Sequence, residues 1–153
     1  MILTYKQTIE DAKQLAKLIT KPYDAIHGIP AGGISIMVAV AQELGIDNML
    51  SVDEYKEYPD KEKVLVVDDL VDSGKTLLRY PLSDCAVVYK KPHSPEPMYY
   101  YKDIGSEWVT FPHEKDKDGI LDHLVRIFSF IDIRLSEQEE QSILNILKRI
   151  KEK

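Results

Sequence analysis

The stretch Val64-Leu65-Val66-Val67-Asp68-Asp69-Leu70-Val71-Asp72-Ser73-Gly74-Lys75-Thr76 constrains this chain more than any other. Four consecutive apolar residues, three of them β-branched, read as a strand buried on both faces. The strand ends in two acids, and in open α/β sheets ligands bind beyond the carboxyl ends of strands. Adjacent carboxylates repel one another, so a cationic or hydroxyl-rich partner should face them. Vicinal ribose hydroxyls and a magnesium ion both meet that need. The turn that follows offers successive backbone N–H groups, the hydroxyls of Ser73 and Thr76, and a glycine that admits close approach. A short helix over Lys75–Tyr80 is expected next, with the positive end of its dipole toward the turn. The arrangement is a phosphate cradle. Gly74-Lys75-Thr76 resembles the end of a Walker A loop, but that loop needs glycine where this chain has Asp69.

Such a cradle must act locally, because the chain as a whole is acidic. It has 26 acidic against 20 basic residues in 153, a formal net charge of −6. No general attraction for nucleic acid or an anionic membrane follows from that balance. No apolar run reaches the about 18 residues needed to span a bilayer, and the first residues carry no secretory pattern. Cys85 is the only cysteine, which excludes an internal disulfide and suits the cytoplasm.

Periodicity organises the rest. Thr8 is placed as the cap of a helix bearing Ile9, Ala12, Leu15, Ala16 and Ile19, stopped at Lys21-Pro22. Ala25-Ile26-His27 reads as a buried strand, Gly28–Gly33 as a loop, and Ile34–Leu44 as a buried helix ended by Gly45. Met49–Val52 is a strand, and Asp53–Lys63 a charged mobile loop. After Val64–Val67 and the loop Asp68–Gly74 come strands at Ala86–Tyr89 and Met98–Tyr101, joined by a proline-rich connection. Leu121–Phe130 reads as an apolar helix. Ser136 and Glu139 form a capping box for a last helix to about Lys151. The order of elements gives a single α/β domain with a mainly parallel central sheet. His27 is either a hydrogen-bonded core residue or part of a site floor, and His93 a loop residue. Ser35, Ser73 and Cys85 lack the base partner a nucleophile needs.

The segment Val66–Thr76 resembles the phosphoribosyl diphosphate signature of the type I phosphoribosyltransferases. The resemblance implies a three-layer fold with a small hood over about 92–114 and a C-terminal helical segment over about 117–151, the core occupying about 24–91. It implies that Asp68 and Asp69 hold the ribose 2′- and 3′-hydroxyls, directly or through magnesium. Asp72, Ser73, Gly74, Lys75 and Thr76 would bind the 5′-phosphate, and Asp72 would assist proton transfer at a purine N7. The loop Gly28–Gly33 falls where the family binds diphosphate, through Ala31 and Gly32. Many members carry Arg or Lys at the position of Ala31, and the family's cis peptide would fall at Ala31-Gly32.

Further along, Lys91-Pro92 and Trp108-Val109 are similar to the 6-oxopurine branch, above all to xanthine-guanine phosphoribosyltransferases. By that likeness Lys91 contacts O6, Trp108 stacks on the base, Val109 reads the ring edge, and Glu114 joins Asp69 in holding Mg2+. A lysine donates to a carbonyl O6 and is unsuited to an amino group. The implied reaction is magnesium-dependent phosphoribosyl transfer to guanine, xanthine or hypoxanthine, with a homodimer or higher homo-oligomer by analogy. Two other readings stay open: a non-catalytic sensor of phosphoribosyl diphosphate or a nucleotide, favoured by Ala31 and the short Asp53–Lys63 segment, and transfer to a non-purine acceptor. From the residues alone, Lys91 could be a solvated lysine and Trp108 a core residue.

Overall fold

The computed structural model describes residues 3–105, together with Gln138, Glu139, Ser142 and Ile146. Five strands, β1 (Ala25–Gly28), β2 (Met49–Leu50), β3 (Val64–Val71), β4 (Asp84–Lys90) and β5 (Tyr99–Asp103), form one sheet in the order β2-β1-β3-β4-β5. Every pairing is parallel. The helices are α1 (Tyr5–Leu18), α2 (Gly33–Leu44) and α3 (Val52–Glu57).

Side chains alternate across a strand, and along β3 this divides the core in two. Leu65 and Val67 join a large cluster with Ile9, Leu15, Ile34, Met37 and Val38 from α1 and α2. Val64 and Val66 face a smaller cluster with Ala25, Ile29, Leu50, Tyr55 and Cys85. Each large aliphatic side chain fully buried stabilises by about 1.5–3 kcal/mol relative to leaving it exposed. Among the described residues, the α1/α2 side therefore supplies most of the hydrophobic stabilisation, and the other side carries only α3, short 3-10 turns and the polar groups described below. Ile146 is buried in the larger cluster, and Gln42 Nε2 donates to Glu139 Oε2 at 3.1 Å, so part of the C-terminal segment packs on the α1/α2 face.

Local chemistry explains the departures from the sequence reading. The cap of α1 is Thr4, whose side chain accepts from Gln7 N–H; Thr8 lies inside the helix and donates to Thr4 O at 2.9 Å. The segment Asp53–Lys63 is not a plain loop. Ser51 and Glu54 form a reciprocal capping box that starts α3, and a 3-10 turn follows at Lys61–Lys63. Tyr55 anchors this segment: it is buried against His27 and Tyr80, and its hydroxyl bonds Ser83 Oγ at 2.7 Å. β3 is twice the expected length and runs through both acids to Val71, because Asp68, Leu70 and Val71 pair with Val87, Tyr89 and Lys90 of β4. The helix expected over Lys75–Tyr80 is only a 3-10 turn at Leu77–Arg79. Pro81 disfavours helical geometry at the residue before it and contributes no N–H. Helix α2 ends as anticipated at Gly45, with φ 70°.

Candidate active site

At the carboxyl end of the sheet, β1 and β3 lie side by side with His27 beside Val66 and Gly28 beside Val67. Two loops therefore leave the same edge. The first runs from Gly28 into α2. It is held by backbone bonds: Ile29 N–H to Val67 O at 2.9 Å, Gly33 N–H to Ile29 O at 2.8 Å, and Ile34 N–H to Ala31 O at 3.3 Å. Gly28 and Gly33 are packed against backbone, since a Cβ on Gly28 would lie 2.3 Å from Gly33 O and one on Gly33 2.7 Å from Val67 O. A non-proline cis peptide occurs here, at Pro30-Ala31, one bond upstream of the expected Ala31-Gly32. The loop opens into a helix of 12 residues with no acid in its first turn and no side chain capping it. The positive end of a helix dipole thus belongs to this loop. Its expected place was after Gly74, where the three-residue 3-10 turn supplies almost none.

The acids at the end of β3 are nearly buried. Asp68 and Asp69 are each 9% exposed, and Asp69 N–H donates to Asp68 Oδ1 at 2.8 Å. Burial, and then the neighbouring Asp69, push the Asp68 carboxyl well above the usual range. Two carboxylates held this way gain from a cation or hydroxyl donors. Magnesium is commonly bound by one or two carboxylates plus substrate oxygens, keeping several waters. The Asp68/Asp69 pair fits that donor set, while no group of three or more candidate ligands occurs among the described residues.

Beyond Val71 the second loop turns at Gly74, with φ 81°. Lys75 N–H is taken by Ser73 Oγ at 3.3 Å, and Asp72, Ser73 and Lys75 are exposed. Register now brings in β4. Val71 pairs with Lys90, and Lys91 N–H donates to Val71 O at 3.2 Å, so the residues after the two strands lie together. Lys91 is buried, with Nζ 3.6 Å from Asp72 Oδ2. His93 Nε2 bonds Asp72 Oδ1. The hydrogen bond from His93, with help from Lys91, holds the Asp72 carboxyl below its ordinary pKa.

The structure thus brings Asp68, Asp69, Asp72, Ser73, Gly74, Lys75, Thr76 and Lys91 to one end of the sheet, with Ala31 and Gly32 on the adjoining loop. Trp108, Val109 and Glu114 lie outside the described residues. His93 was read only as a loop residue; its one sequence signal is that it lies two positions past Lys91. His27 is fully buried. Its Nδ1–H donates to Leu50 O at 2.8 Å, and Nε2 accepts from the Tyr80 hydroxyl at 3.2 Å. Burial lowers its pKa and keeps the ring neutral. It is a hydrogen-bonded core residue beneath the site. Burial pushes the Cys85 thiol up to about 11, which rules against a reactive thiolate.

No family model matches the sequence. The chain is 35% identical over 113 residues to the xanthine-guanine phosphoribosyltransferase of Cereibacter sphaeroides, covering 58% of this chain and 67% of the relative. With that of Roseobacter denitrificans it shares 32% over 117 residues, covering 58% and 66%. The chain spans about two thirds of the length of these curated relatives. Among solved structures, a purine phosphoribosyltransferase from Pyrococcus horikoshii superposes with a TM-score of 0.60 at 25% identity, over 73% of this chain and 92% of that one. A xanthine-guanine-hypoxanthine phosphoribosyltransferase from Helicobacter pylori gives 0.64 over 80% and 98%, and at 20% identity shows the fold alone. Sequence likeness, sheet topology and the acid-tipped strand agree: the chain belongs to the type I phosphoribosyltransferase family of enzymes.

Proposed function

We propose that this chain transfers the 5-phosphoribosyl group of phosphoribosyl diphosphate to a 6-oxopurine base, releasing diphosphate. The observation that carries this reading is the pairing of Lys91 Nζ with Asp72 Oδ2 at 3.6 Å. An oxopurine presents O6 and N7 on one edge. An ammonium and a carboxylate side by side match O6 and a protonated N7. Adenine would turn an amino group toward the ammonium, a donor against a donor.

In this reading N9 of the base attacks C1′ of the ribose. The bond from C1′ to the diphosphate oxygen breaks with its electron pair on diphosphate, and the N7 proton passes to the Asp72 carboxylate. Asp68 and Asp69 hold the ribose hydroxyls, and the hydroxyls and amides of residues 73–76 hold the 5′-phosphate. The amides of Ala31 and Gly32, backed by the N-terminus of α2, face the diphosphate without a side-chain cation. Magnesium, held by Asp69 with Asp68 and Glu114, would offset charge on the leaving group. Trp108 would stack on the base and Val109 would meet its edge. Placing the two substrates against one another is the larger contribution to rate.

Isotope-labelled guanine, xanthine, hypoxanthine, adenine, uracil and orotate, each incubated with phosphoribosyl diphosphate and magnesium, test the reading. Nucleoside monophosphate is expected from the three oxopurines and not from adenine. Product from uracil or orotate would move the acceptor outside the purines. Tight binding of phosphoribosyl diphosphate with no product from any base would favour a sensor, the reading that Ala31 supports. Lys91→Ala should lower the preference for oxopurines over adenine by about tenfold or more, the effect of one hydrogen bond to a charged group.

A further inference from the structure

The turn after β4 is built as a fixed part. Ser94 closes it on the carbonyl of Lys91, through N–H at 3.1 Å and Oγ at 2.7 Å. Behind it, Lys90 Nζ pairs with Glu96 Oε1 at 3.1 Å. In front, the Pro95 ring fills the space over Gly74, where an added Cβ would lie 2.4 Å from Pro95 Cγ. His93 stands at the tip of this turn, 61% exposed, so the fold does not need its side chain for packing. Its Nε2 nevertheless reaches back to Asp72 Oδ1, while Lys91 faces Oδ2 of the same carboxylate.

An exposed aspartate rotates about χ1 and χ2 and aims its oxygens in no fixed direction. Donors on both oxygens fix the plane of the group. Because Nε2–H donates to Oδ1, that oxygen is committed, and Oδ2 is the one left beside Lys91, where the O6/N7 edge of a base would arrive. We propose that His93 is a positioning residue for base attack: it orients the Asp72 carboxylate so that Oδ2 takes the N7 proton while Lys91 meets O6. This rests on the reading of Asp72 as the base. Lys91 and His93, both from the segment after β4, are the charged or titratable groups that act on Asp72 among the described residues. His93 therefore also bears on the pH at which Asp72 protonates.

Two substitutions separate orientation from bulk. His93→Gln keeps an N–H donor at similar reach without the imidazole, and His93→Ala removes it. With guanine and phosphoribosyl diphosphate as substrates, His93→Ala should lose roughly ten- to hundredfold in kcat, the effect of one charge-assisted hydrogen bond. KM for phosphoribosyl diphosphate and the unfolding midpoint should stay as in the unmodified protein. His93→Gln should recover most of the rate. The acid limb of the kcat profile should move to higher pH in His93→Ala, because Asp72 loses the bond that holds its pKa down. An active parent enzyme with His93→Ala at full rate, or with a slower variant whose acid limb has not moved, would overturn the positioning role and leave the proposed reaction standing. A parent protein that turns over none of the three oxopurines would overturn both.

Discussion

The loops 28–33 and 72–76 leave the same edge of one parallel sheet, yet they are made in opposite ways. In the first, the chain is held by backbone carbonyls, and Gly28 and Gly33 sit where a Cβ would strike backbone. It carries no charged side chain, and the electrostatic help comes from α2 behind it. In the second, the shape depends on side chains from the segment after β4: Lys91 and His93 on Asp72, and Pro95 over Gly74. One loop is thus shaped by backbone packing and backed by a helix dipole, the other is shaped by register between β3 and β4. Changes in the first loop should register as stability, and changes in the second as turnover and affinity.

The largest effect belongs to the second loop. Asp72→Asn should lower turnover about 10²- to 10⁴-fold, the range of general acid–base catalysis, with binding of phosphoribosyl diphosphate retained and the unfolding midpoint unchanged. Steady-state kinetics and a binding titration read this together; full turnover would remove Asp72 from the chemistry. Next comes Gly28→Ala, whose Cβ would meet Gly33 O at 2.3 Å and Met37 Cβ at 2.8 Å. Backbone cannot yield as a flexible side chain does, so a destabilisation of at least about 3 kcal/mol in urea unfolding is expected. An unchanged midpoint would break the contrast between the loops. Gly74→Ala is milder. A non-glycine residue at φ 81° costs about 1–2 kcal/mol, and the Pro95 ring must shift. Its sharper readout is weaker affinity for phosphoribosyl diphosphate in calorimetry, because the turn that carries Lys91 and His93 moves with Pro95.

The division between backbone and register also decides what the sequence could disclose. Helix α2, its terminator Gly45 and the apolar start of β3 follow from local period and turn chemistry, and all were legible. The acids stand out in the sequence as candidate site residues, but not as strand: Asp68 to Val71 are extended because β4 pairs with them, a non-local cause that charge content obscured. The same pairing sets Lys91 beside Asp72. Without the register the two are 19 positions apart in the sequence, and only family likeness joined them. His93 had no such likeness, and only its place two positions past Lys91 pointed to it. Helix α3 was missed for another reason. Its charged composition outweighed the Ser51/Glu54 box, a signal that was present. The dipole was assigned to the wrong loop because Pro81 left Lys75–Tyr80 too short for a helix.

The smallest expected effect lies where the two loops abut, since a Cβ on Gly33 would come within 3.4 Å of Asp68 Cα. Asp68 has its folded-state pKa raised by burial and by Asp69. The native state therefore holds this proton more tightly than the unfolded chain does. The resulting stabilisation is complete below the unfolded value of about 3.9 and is lost as pH rises through the folded value. As pH rises above the unfolded value, burial and the neighbouring Asp69 oppose ionisation of Asp68, and this carboxyl works against folding. Asp68→Asn cannot ionise, so it should be more stable than its parent by about 1 kcal/mol at pH 7, with the two converging as pH falls toward 4. The same variant should lose magnesium-dependent affinity for phosphoribosyl diphosphate. Urea unfolding across this pH range, alongside a titration with magnesium present, would measure both. A variant less stable than its parent at neutral pH would mean that the bond from Asp69 N–H to Asp68 outweighs the repulsion. The acids would then be structural parts of β3, and the site would have to be sought in the loops alone.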